Sequence, residues 1–128
     1  MTNLTAVITG GSKGIGADLA DRLLAKDYKV ISLARGQGAA RHDNLIHMSC
    51  DLLDPDAVQA TAAEIATNHV VTHLVNNAGL VWPNLLEDAS PSDITGLAQL
   101  HLGAPLILLQ AFLPAMKSGK FGRVMFNG

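Results

Sequence analysis

A glycine-rich turn near the N-terminus has the residue types and spacing of a phosphate-binding loop. The segment VITGGSKGIG, residues 7–16, leaves a predicted strand, turns on glycines and enters a predicted helix. Gly10 permits a tight turn, while Gly14 and Gly16 let the backbone approach a phosphate and let the helix pack closely on the strand. Free N–H groups at a helix N-terminus attract anions, so a pyrophosphate is the natural ligand. Although many glycine-rich turns bind nothing, this strand-turn-helix context favours a dinucleotide.

Five short apolar runs, separated by helical stretches, are expected to form the strands that position this turn. They lie at residues 6–8, 30–33, 45–48, 74–75 and 124–126. Between the first two, Ile15, Leu19 and Leu23 recur every four residues and predict a helix packed on a sheet. Ala20 and Leu24 broaden this apolar stripe. Nearly uncharged strands that alternate with helices indicate a parallel sheet covered on both faces, so a doubly wound α/β fold is the leading choice.

Proline marks two places in the predicted helices. Asp54-Pro55 predicts a helix start, with Asp54 as the N-cap and the proline at the first helical position. A longer helix is expected from about residue 92 to residue 116, and it contains Pro105. Because an interior proline costs about 3 kcal/mol in a helix, we expect a kink or a break near Pro105.

Length, composition and charge restrict the possible functions. The chain has 128 residues, of which 48% are hydrophobic and 16% charged, and its net charge is −2. These values indicate one globular domain over residues 1–128. The chain has no block of like charges, which argues against nucleic-acid binding. The N-terminus lacks the pattern of a secretion signal, and the apolar run at residues 106–109 is too short to span a bilayer, so we expect a cytoplasmic protein without a membrane partner.

Few residues could bind a metal ion. Cys50 is the single cysteine, which excludes an internal disulfide and a cysteine-based zinc site, and it is expected to be a small buried apolar residue. His69 and His73 have the spacing of a zinc pair on a helix. However, residues 70–72 favour an extended approach to a strand, and the glutamate of the H-E-x-x-H motif is absent. We therefore predict no metal site.

Two motifs together resemble the short-chain dehydrogenase/reductase family. The glycine turn has the spacing T-G-x-x-x-G-x-G, and N-N-A-G at residues 76–79 looks like the family motif after the fourth strand. Asp51-Leu52 resembles the family's adenine-contacting pair, and residues 122–124 resemble the start of its fifth strand. The resemblance covers the whole chain, but only about the first half of such a protein. It implies an NAD(P)-binding, Rossmann-like sheet in the strand order 3-2-1-4-5 that is incomplete without its C-terminal strands.

The same resemblance implies a cofactor cleft made from three segments. The glycine turn would hold the phosphates and riboses through Gly10, Ser12, Lys13, Gly14, Ile15 and Gly16. The adenine would lie against Asp51 and Leu52, and the cleft would be lined, and the sheet braced, by Asn77, Ala78 and Gly79. Alternatively, Asp51 is a strand-ending turn residue and the asparagines cap a loop.

The end of the second predicted strand indicates which nicotinamide cofactor binds. An acidic residue about 20 positions after the glycine turn would bind the ribose 2′-OH and repel a 2′-phosphate. Ala34 stands at this place, and Arg35 follows it. Because Arg35 and Lys13 could both make charge-assisted hydrogen bonds to a 2′-phosphate, we expect NADP(H) to bind in preference to NAD(H). The alternative is that both are solvated surface charges.

The resemblance also implies a reaction, in which hydride moves between the nicotinamide and a carbonyl or alcohol carbon. In the family, a tyrosine exchanges the proton and a lysine follows four residues later. The one tyrosine of this chain, Tyr28, has no lysine at that position, and the family's serine would follow Gly128. The family's helix asparagine, which supports a proton path, falls at His101, whose imidazole also transfers protons near neutral pH. His101 is therefore a candidate catalytic residue, with a packing role as the alternative.

Two classes of function remain. One is the N-terminal half of an NADP-dependent oxidoreductase whose serine, tyrosine and lysine lie in a missing or separate C-terminal segment that stays bound as a partner. Truncation of the chain and cleavage after Gly128 are both open. The other class is a catalytically inactive nucleotide-binding module with a regulatory or structural role. The intact cofactor half favours the enzyme, which by resemblance is expected to be a homo-oligomer that acts on a small carbonyl or alcohol substrate.

Overall fold

The computed structural model describes residues 4–36, 42–79 and 86–127, and within them one five-stranded sheet. Its strands are β1 (Thr5–Thr9), β2 (Lys29–Ala34), β3 (Leu45–Ser49), β4 (His73–Asn76) and β5 (Arg123–Phe126). They are parallel and lie in the order β3-β2-β1-β4-β5, which confirms the predicted strands and their order. Gly128, where the sequence analysis expected an interruption, lies outside the described residues.

Helices cover both faces of the sheet, because alternate residues of each central strand are buried against different helices. On one face, Ile8 and Val75 pack with Ala20 of helix α1 (Gly14–Leu24). On the other face, their neighbours Val7 and Leu74 belong to a core that α2 (Pro55–Asn68) and α4 (Ala104–Ser118) complete. This arrangement is the predicted doubly wound, Rossmann-like fold.

The apolar stripe predicted for α1 is confirmed at four of its five residues, since Ala20 and Leu24 are buried and Leu19 and Leu23 pack partly buried against the core, but it is wrong at Ile15. Ile15 is 70% exposed, whereas Gly16, Ala20 and Leu24 are the buried residues of the helix. The reason is a close approach, since Gly16 lies directly against the Gly10 carbonyl oxygen and so turns its own row of residues towards the sheet. Glycine has no side chain that would mark it as part of an apolar stripe, so the sequence pattern places Ile15 in the stripe instead of Gly16.

The predicted helix start at Asp54 and the interruption near Pro105 are both observed. Asp54 caps α2, because its Oδ1 accepts hydrogen bonds from the N–H groups of Asp56 and Ala57 at 3.0 and 3.4 Å. The long helix consists of α3 (Pro91–Ala98), a π-helical turn (Gln99–Gly103) and α4. The ring of Pro105 would clash with the carbonyl four residues earlier in a regular α-helix, and the wider π-helical turn at that point relieves the overlap.

The continuous helical stretch Pro91–Ser118 has 28 residues and is, by length and composition alone, long and apolar enough to cross a membrane. It is much longer than the short apolar run that the sequence analysis considered. Leu108 and Phe112 of this stretch are nevertheless buried in the core beside the sheet. The opposite side of the stretch exposes the apolar side chains of Leu102, Leu106 and Leu113.

Candidate functional site

A cleft of about 360 Å³ opens at the carboxyl ends of β1, β2 and β4. The strand order reverses at β1, because β2 and β3 lie to one side of it and β4 and β5 to the other, and such a reversal leaves a crevice for ligands. Nine of the cofactor-binding residues predicted from the sequence line this cleft, namely Gly10, Ser12, Lys13, Arg35, Asp51, Leu52, Asn77, Ala78 and Gly79. Residues distant in sequence are therefore brought together where the motifs placed them.

Three predicted residues lie beside the cleft rather than in its lining. Gly14, Ile15 and Gly16 form the first turn of α1. The side chain of Ile15 borders a different cavity, which it shares with Met125 and Phe126. A contact between the Ile15 side chain and a ligand in the cleft is thus not supported by the geometry, and only the backbone of this turn faces the glycine loop.

The glycine turn is shaped by contacts that leave little room for a side chain at Gly10 and none at Gly16. Gly10 has a φ of 68°, which glycine adopts without strain, and its N–H donates to the Leu33 carbonyl at 2.7 Å. A Cβ at Gly16 would overlap the Gly10 carbonyl oxygen and would lie 2.6 Å from Asn77 Nδ2. The start of α1 can therefore approach the turn only because position 16 is glycine.

The N-terminus of α1 carries no side-chain cap. Lys13 occupies the N-cap position with extended backbone and makes no capping hydrogen bond, and the first turn contains no acidic residue. The first N–H groups of a helix lack partners within the helix and carry a partial positive charge. Together with the Lys13 ammonium group, they suit a phosphate.

The segment that follows β4 is tied to the end of β1. The Thr9 hydroxyl oxygen accepts hydrogen bonds from the N–H groups of Asn77 and Ala78, both at 3.0 Å. The Asn77 Nδ2 donates to the Gly10 carbonyl at 3.3 Å. Asn77 thus does more than cap its own loop, because its bonds hold the two sides of the cleft at a fixed separation.

One wall of the cleft is apolar, as a flat aromatic ring requires. Leu33, Leu52 and Leu100 line it, and all three are buried. Gln99 Nε2 donates to the Leu52 carbonyl at 3.2 Å and so ties the π-helical turn to the segment after β3. Leu52 can be predicted from its motif, whereas Leu100 and Gln99 cannot, because no local pattern shows that the turn before α4 reaches this wall.

Among the described residues, two cations and one carboxylate line the cleft. Lys13 belongs to the glycine turn and Arg35 follows β2. Asp51 follows β3, and its Oδ1 accepts a hydrogen bond from the Leu53 N–H at 3.0 Å. Asp51 therefore has the turn role that was the alternative interpretation, while it also borders the cleft. Ala34, at the end of β2, offers no carboxylate to a ribose 2′-hydroxyl.

Cys50 also lines the cleft but is not suited to act as a nucleophile. Burial raises the pKa of its thiol, as do the carboxylates of Asp51 and Asp54, while a hydrogen bond with Thr61 acts in the opposite direction. A thiol with a raised pKa is protonated at neutral pH and reacts slowly. Its burial agrees with the predicted packing role.

His101 lies in a smaller cavity, of about 110 Å³, that adjoins the cleft. Ala78 and Leu100 line both cavities, so the two are direct neighbours. A Cβ at Gly79 would lie 3.6 Å from His101 Cε1, which places the imidazole beside the N-N-A-G segment. The same small cavity is bordered by Asn76, whose buried Oδ1 has no hydrogen-bond partner among the described residues. His101 thus lies next to the N-N-A-G side of the cleft, in the adjoining cavity.

The two histidines with zinc-like spacing do not share a helical face. His69 is the C-cap of α2 and His73 begins β4. Burial lowers the pKa of both imidazoles, and the charges of Lys29 at His69 and Arg123 at His73 act in the same direction. Over residues 4–36, 42–79 and 86–127, no group of three or more His, Cys, Asp or Glu residues is arranged to hold a metal ion.

Comparison with known proteins matches nearly the whole chain to one family. The family described as short chain dehydrogenase matches residues 4–127. The 3-oxoacyl-[acyl-carrier-protein] reductase MabA of Mycobacterium avium is 32% identical over 125 residues, which are 97% of this chain and 48% of that protein. The chain thus spans about half the length of the curated relatives it matches.

Solved structures share the fold of the chain. A metagenomic short-chain oxidoreductase in complex with NADP is 32% identical, with a TM-score of 0.84, and the match covers 98% of this chain and 61% of that one. A short chain dehydrogenase from Leptospira borgpetersenii with bound NAD+ has a TM-score of 0.86, with 98% and 51% of the two chains covered. At 20% identity, the second structure shows the fold alone.

Proposed function

Because the chain belongs to the short-chain dehydrogenase family, we propose that it is the cofactor-binding half of an NADP-dependent oxidoreductase. The observation that carries the proposal is the cleft, in which an uncapped helix N-terminus, a tight glycine turn and an apolar wall meet. These features fit the phosphates and the adenine of a dinucleotide. When bound, the nicotinamide would supply or accept a hydride.

The preference for NADP(H) rests on the charges of the cleft. Lys13 and Arg35 line it, and Ala34 takes the place of an acidic residue at the end of β2. A carboxylate at that place would bind the ribose 2′-hydroxyl of NAD and repel a 2′-phosphate, whereas two cations attract one. The metagenomic relative that was solved with NADP supports this preference.

We expect the Arg35→Asp variant to weaken the preference for NADPH. Hydrogen bonds to charged groups contribute about 1.5 to 3 kcal/mol. Because Arg35 is exposed, we expect the lower end of this range, which raises the Kd for NADPH about tenfold. The Kd for NADH should change much less. Isothermal titration of the complete polypeptide with both cofactors measures this difference.

Arg22→Asp is the matched control for this substitution. It makes the same change of charge in an exposed residue of α1 that pairs with Asp18 and does not line the cleft. Its Kd for NADPH should equal that of the unmodified protein. Equal affinities of the unmodified protein for NADPH and NADH would refute the proposed preference.

The proposed substrate is a small carbonyl compound or the corresponding alcohol. The Mycobacterium avium relative is named for the reduction of a 3-oxoacyl group, which is a carbonyl substrate of this class. In the proposed reaction, the glycine turn and the N-N-A-G segment bind and orient the cofactor. His101, beside Gly79, would exchange a proton with a group in the smaller cavity.

A catalytically inactive nucleotide-binding module is the second candidate, and the position of Tyr28 favours it for the chain taken alone. Tyr28 precedes β2, at the end of the sheet opposite the cleft, and its ring contacts that of His73 with centroids 5.2 Å apart. The one tyrosine of the chain is therefore unable to protonate a substrate in the cleft. NADPH binding without turnover of any ketone or 3-oxoacyl thioester by the complete polypeptide would favour the inactive module.

We further propose that a C-terminal segment of the same protein covers β5. Val124, Met125 and Phe126 are 38%, 54% and 65% exposed at the edge of the sheet, where unpaired backbone and apolar side chains favour association. Denaturing mass spectrometry of the purified protein should find this segment, either attached to the chain or copurified with it. A stable, soluble chain of 13.4 kDa that is found alone would contradict the proposal.

A homo-oligomer in the cytoplasm, expected from the resemblance and from the composition, stays a prediction. The exposed side chains of Leu102, Leu106 and Leu113 lie along the stretch Pro91–Ser118 and would be buried by association of two copies. Sedimentation equilibrium of the complete polypeptide measures the oligomeric state. A monomer at micromolar concentration would contradict this expectation.

A further inference from the structure

We infer that Asn127 is a positioning residue for the glycine turn and acts on it through the side-chain amide of Asn77. Asn127 directly follows β5, and its Nδ2 donates to Asn77 Oδ1 at 2.8 Å. Asn77 Nδ2 in turn donates to the Gly10 carbonyl at 3.3 Å. A chain of two hydrogen bonds thus connects the end of β5 to the turn that is proposed to hold the cofactor phosphates. The inference rests on that proposed function.

The direction of these bonds follows from the chemistry of an amide. The side chain of Asn77 has one donor end and one acceptor end, and only its donor end can bond to the Gly10 carbonyl oxygen. The acceptor end of Asn77 therefore faces Asn127, whose Nδ2 donates to it and so supports this orientation of the Asn77 amide. An acceptor at position 127 would select the opposite orientation, in which Asn77 Oδ1 would face the Gly10 oxygen.

Asn127 is itself held in place by the sheet. Its backbone N–H donates to the Asn76 carbonyl at 3.0 Å, which continues the pairing of β5 with β4. The side chain therefore starts from an anchored backbone and loses little freedom when it bonds to Asn77.

The Gly10 carbonyl, which accepts the hydrogen bond from Asn77, lies at a crowded point of the turn. The Gly10 oxygen contacts Gly16 at the start of α1, and Asn77 Nδ2 lies beside the same glycine. Since a peptide group is planar, a fixed Gly10 carbonyl also fixes the N–H of Gly11, which points the opposite way. Through Asn77, Asn127 therefore helps to orient the backbone groups of the proposed phosphate site. It also connects these groups to the end of β5.

Two substitutions of Asn127 separate a positioning role from simple stabilisation of β5. Asn127→Leu removes the donor, and Asn127→Asp replaces it with acceptors at nearly unchanged shape. In the complete polypeptide, we expect the Kd for NADPH to rise about 5-fold for the leucine variant, which is the usual effect of one lost neutral hydrogen bond. We expect a rise of more than about 10-fold for the aspartate variant, because the Asn77 amide then faces acceptors on both sides.

Asn68→Asp is the matched control. The Nδ2 of Asn68 also donates to a backbone carbonyl, that of Glu64 at 2.9 Å, but it does so at the end of α2 and away from the cleft. This variant should lower the melting temperature without changing the Kd for NADPH. If the Asn127 variants also lower only the melting temperature, Asn127 merely stabilises the fold and the inference is wrong.

A double-mutant cycle tests the route through Asn77. In an Asn77→Ala background, Asn127→Leu should weaken NADPH binding by less than about twofold, because the amide that it positions is gone. Fully additive effects of the two substitutions would overturn the inference.

Amide hydrogen exchange gives a readout that needs no cofactor. Exchange at residues 10–16 of the cofactor-free protein should be faster in both Asn127 variants than in the unmodified protein or in Asn68→Asp. Unchanged exchange would refute the positioning role, whatever the cofactor affinity. If the unmodified protein binds neither NADPH nor NADH, the proposed function fails, while faster exchange in the Asn127 variants still supports the connection to the turn.

Discussion

Replacement of Gly16 by alanine tests whether the close approach of α1 to the glycine turn is required. The added Cβ would overlap the Gly10 carbonyl oxygen and lie 2.6 Å from Asn77 Nδ2, whereas non-bonded heavy atoms are most stable at about 3.5 to 4.0 Å. The Asn77 side chain could rotate away, but the Gly10 oxygen belongs to the backbone. Either the turn or the start of α1 must therefore move by about 1 Å.

Two opposing effects determine the change in stability of Gly16→Ala. Alanine is favoured over glycine inside a helix by about 1 kcal/mol, but this gain is smaller in the first turn, where Gly16 lies. Overpacking of a tight contact costs about 1 to 3 kcal/mol. We therefore expect the free energy of unfolding to fall by about 1 to 2 kcal/mol, and the Kd for NADPH to rise at least about tenfold because the displaced turn includes the proposed phosphate site.

Gly36→Ala is the control for this prediction. Gly36 also lines the cleft, but a Cβ at this position meets nothing within 4 Å. Urea denaturation and NADPH titration of both variants, in the complete polypeptide, measure the two quantities. If Gly16→Ala is as stable as Gly36→Ala and binds NADPH equally well, the close approach has no functional importance and the argument is wrong.

Two further predictions concern histidines. If His101 takes part in proton transfer, His101→Asn should retain turnover and His101→Leu should lower kcat by about 10² to 10⁴-fold, whereas an unchanged kcat for the leucine variant would leave a packing role. Burial, aided by Arg123, lowers the pKa of His73 in the folded protein below the ordinary value of 6.5, so the unfolded chain binds more protons just below that pH. The stabilising contribution of neutral His73 is thus complete above about pH 6.5 and is lost as the pH falls through the folded value. His73→Phe, which keeps a ring against Tyr28, should make the free energy of unfolding less dependent on pH between about 7.5 and 5, and an unchanged slope would contradict this assignment.

The strands and two sides of the cleft could be predicted because their signals are local. Each apolar run is short and bounded by turn residues, and the glycine spacing and the N-N-A-G segment both directly follow strands. Asp54 also predicts the start of α2 from a short local pattern, since an N-cap residue bonds to the N–H groups nearest to it. Parallel pairing then brings the carboxyl ends of β1, β2 and β4 to one edge of the sheet without further information.

The remainder of the site depends on contacts between segments far apart in the sequence. The side of α1 that packs on the sheet includes Gly16, which lies against Gly10. A glycine does not contribute to an apolar sequence pattern, so this contact could not be predicted from the pattern. Similarly, the bond from Asn127 to Asn77 spans 50 residues and joins two loop positions that no periodicity links. Such contacts follow from the assembled sheet and become visible only with it.

The π-helical turn shows how one local irregularity shapes both cavities. Three successive residues of this turn serve the site, since Gln99 bonds to the Leu52 carbonyl, Leu100 forms part of the apolar wall and His101 lies beside Gly79. All three belong to the π-helical turn that precedes Pro105. The apolar wall and the candidate proton-transfer residue are thus parts of one backbone feature, and a change that restores regular helix there would displace Leu100 and His101 together.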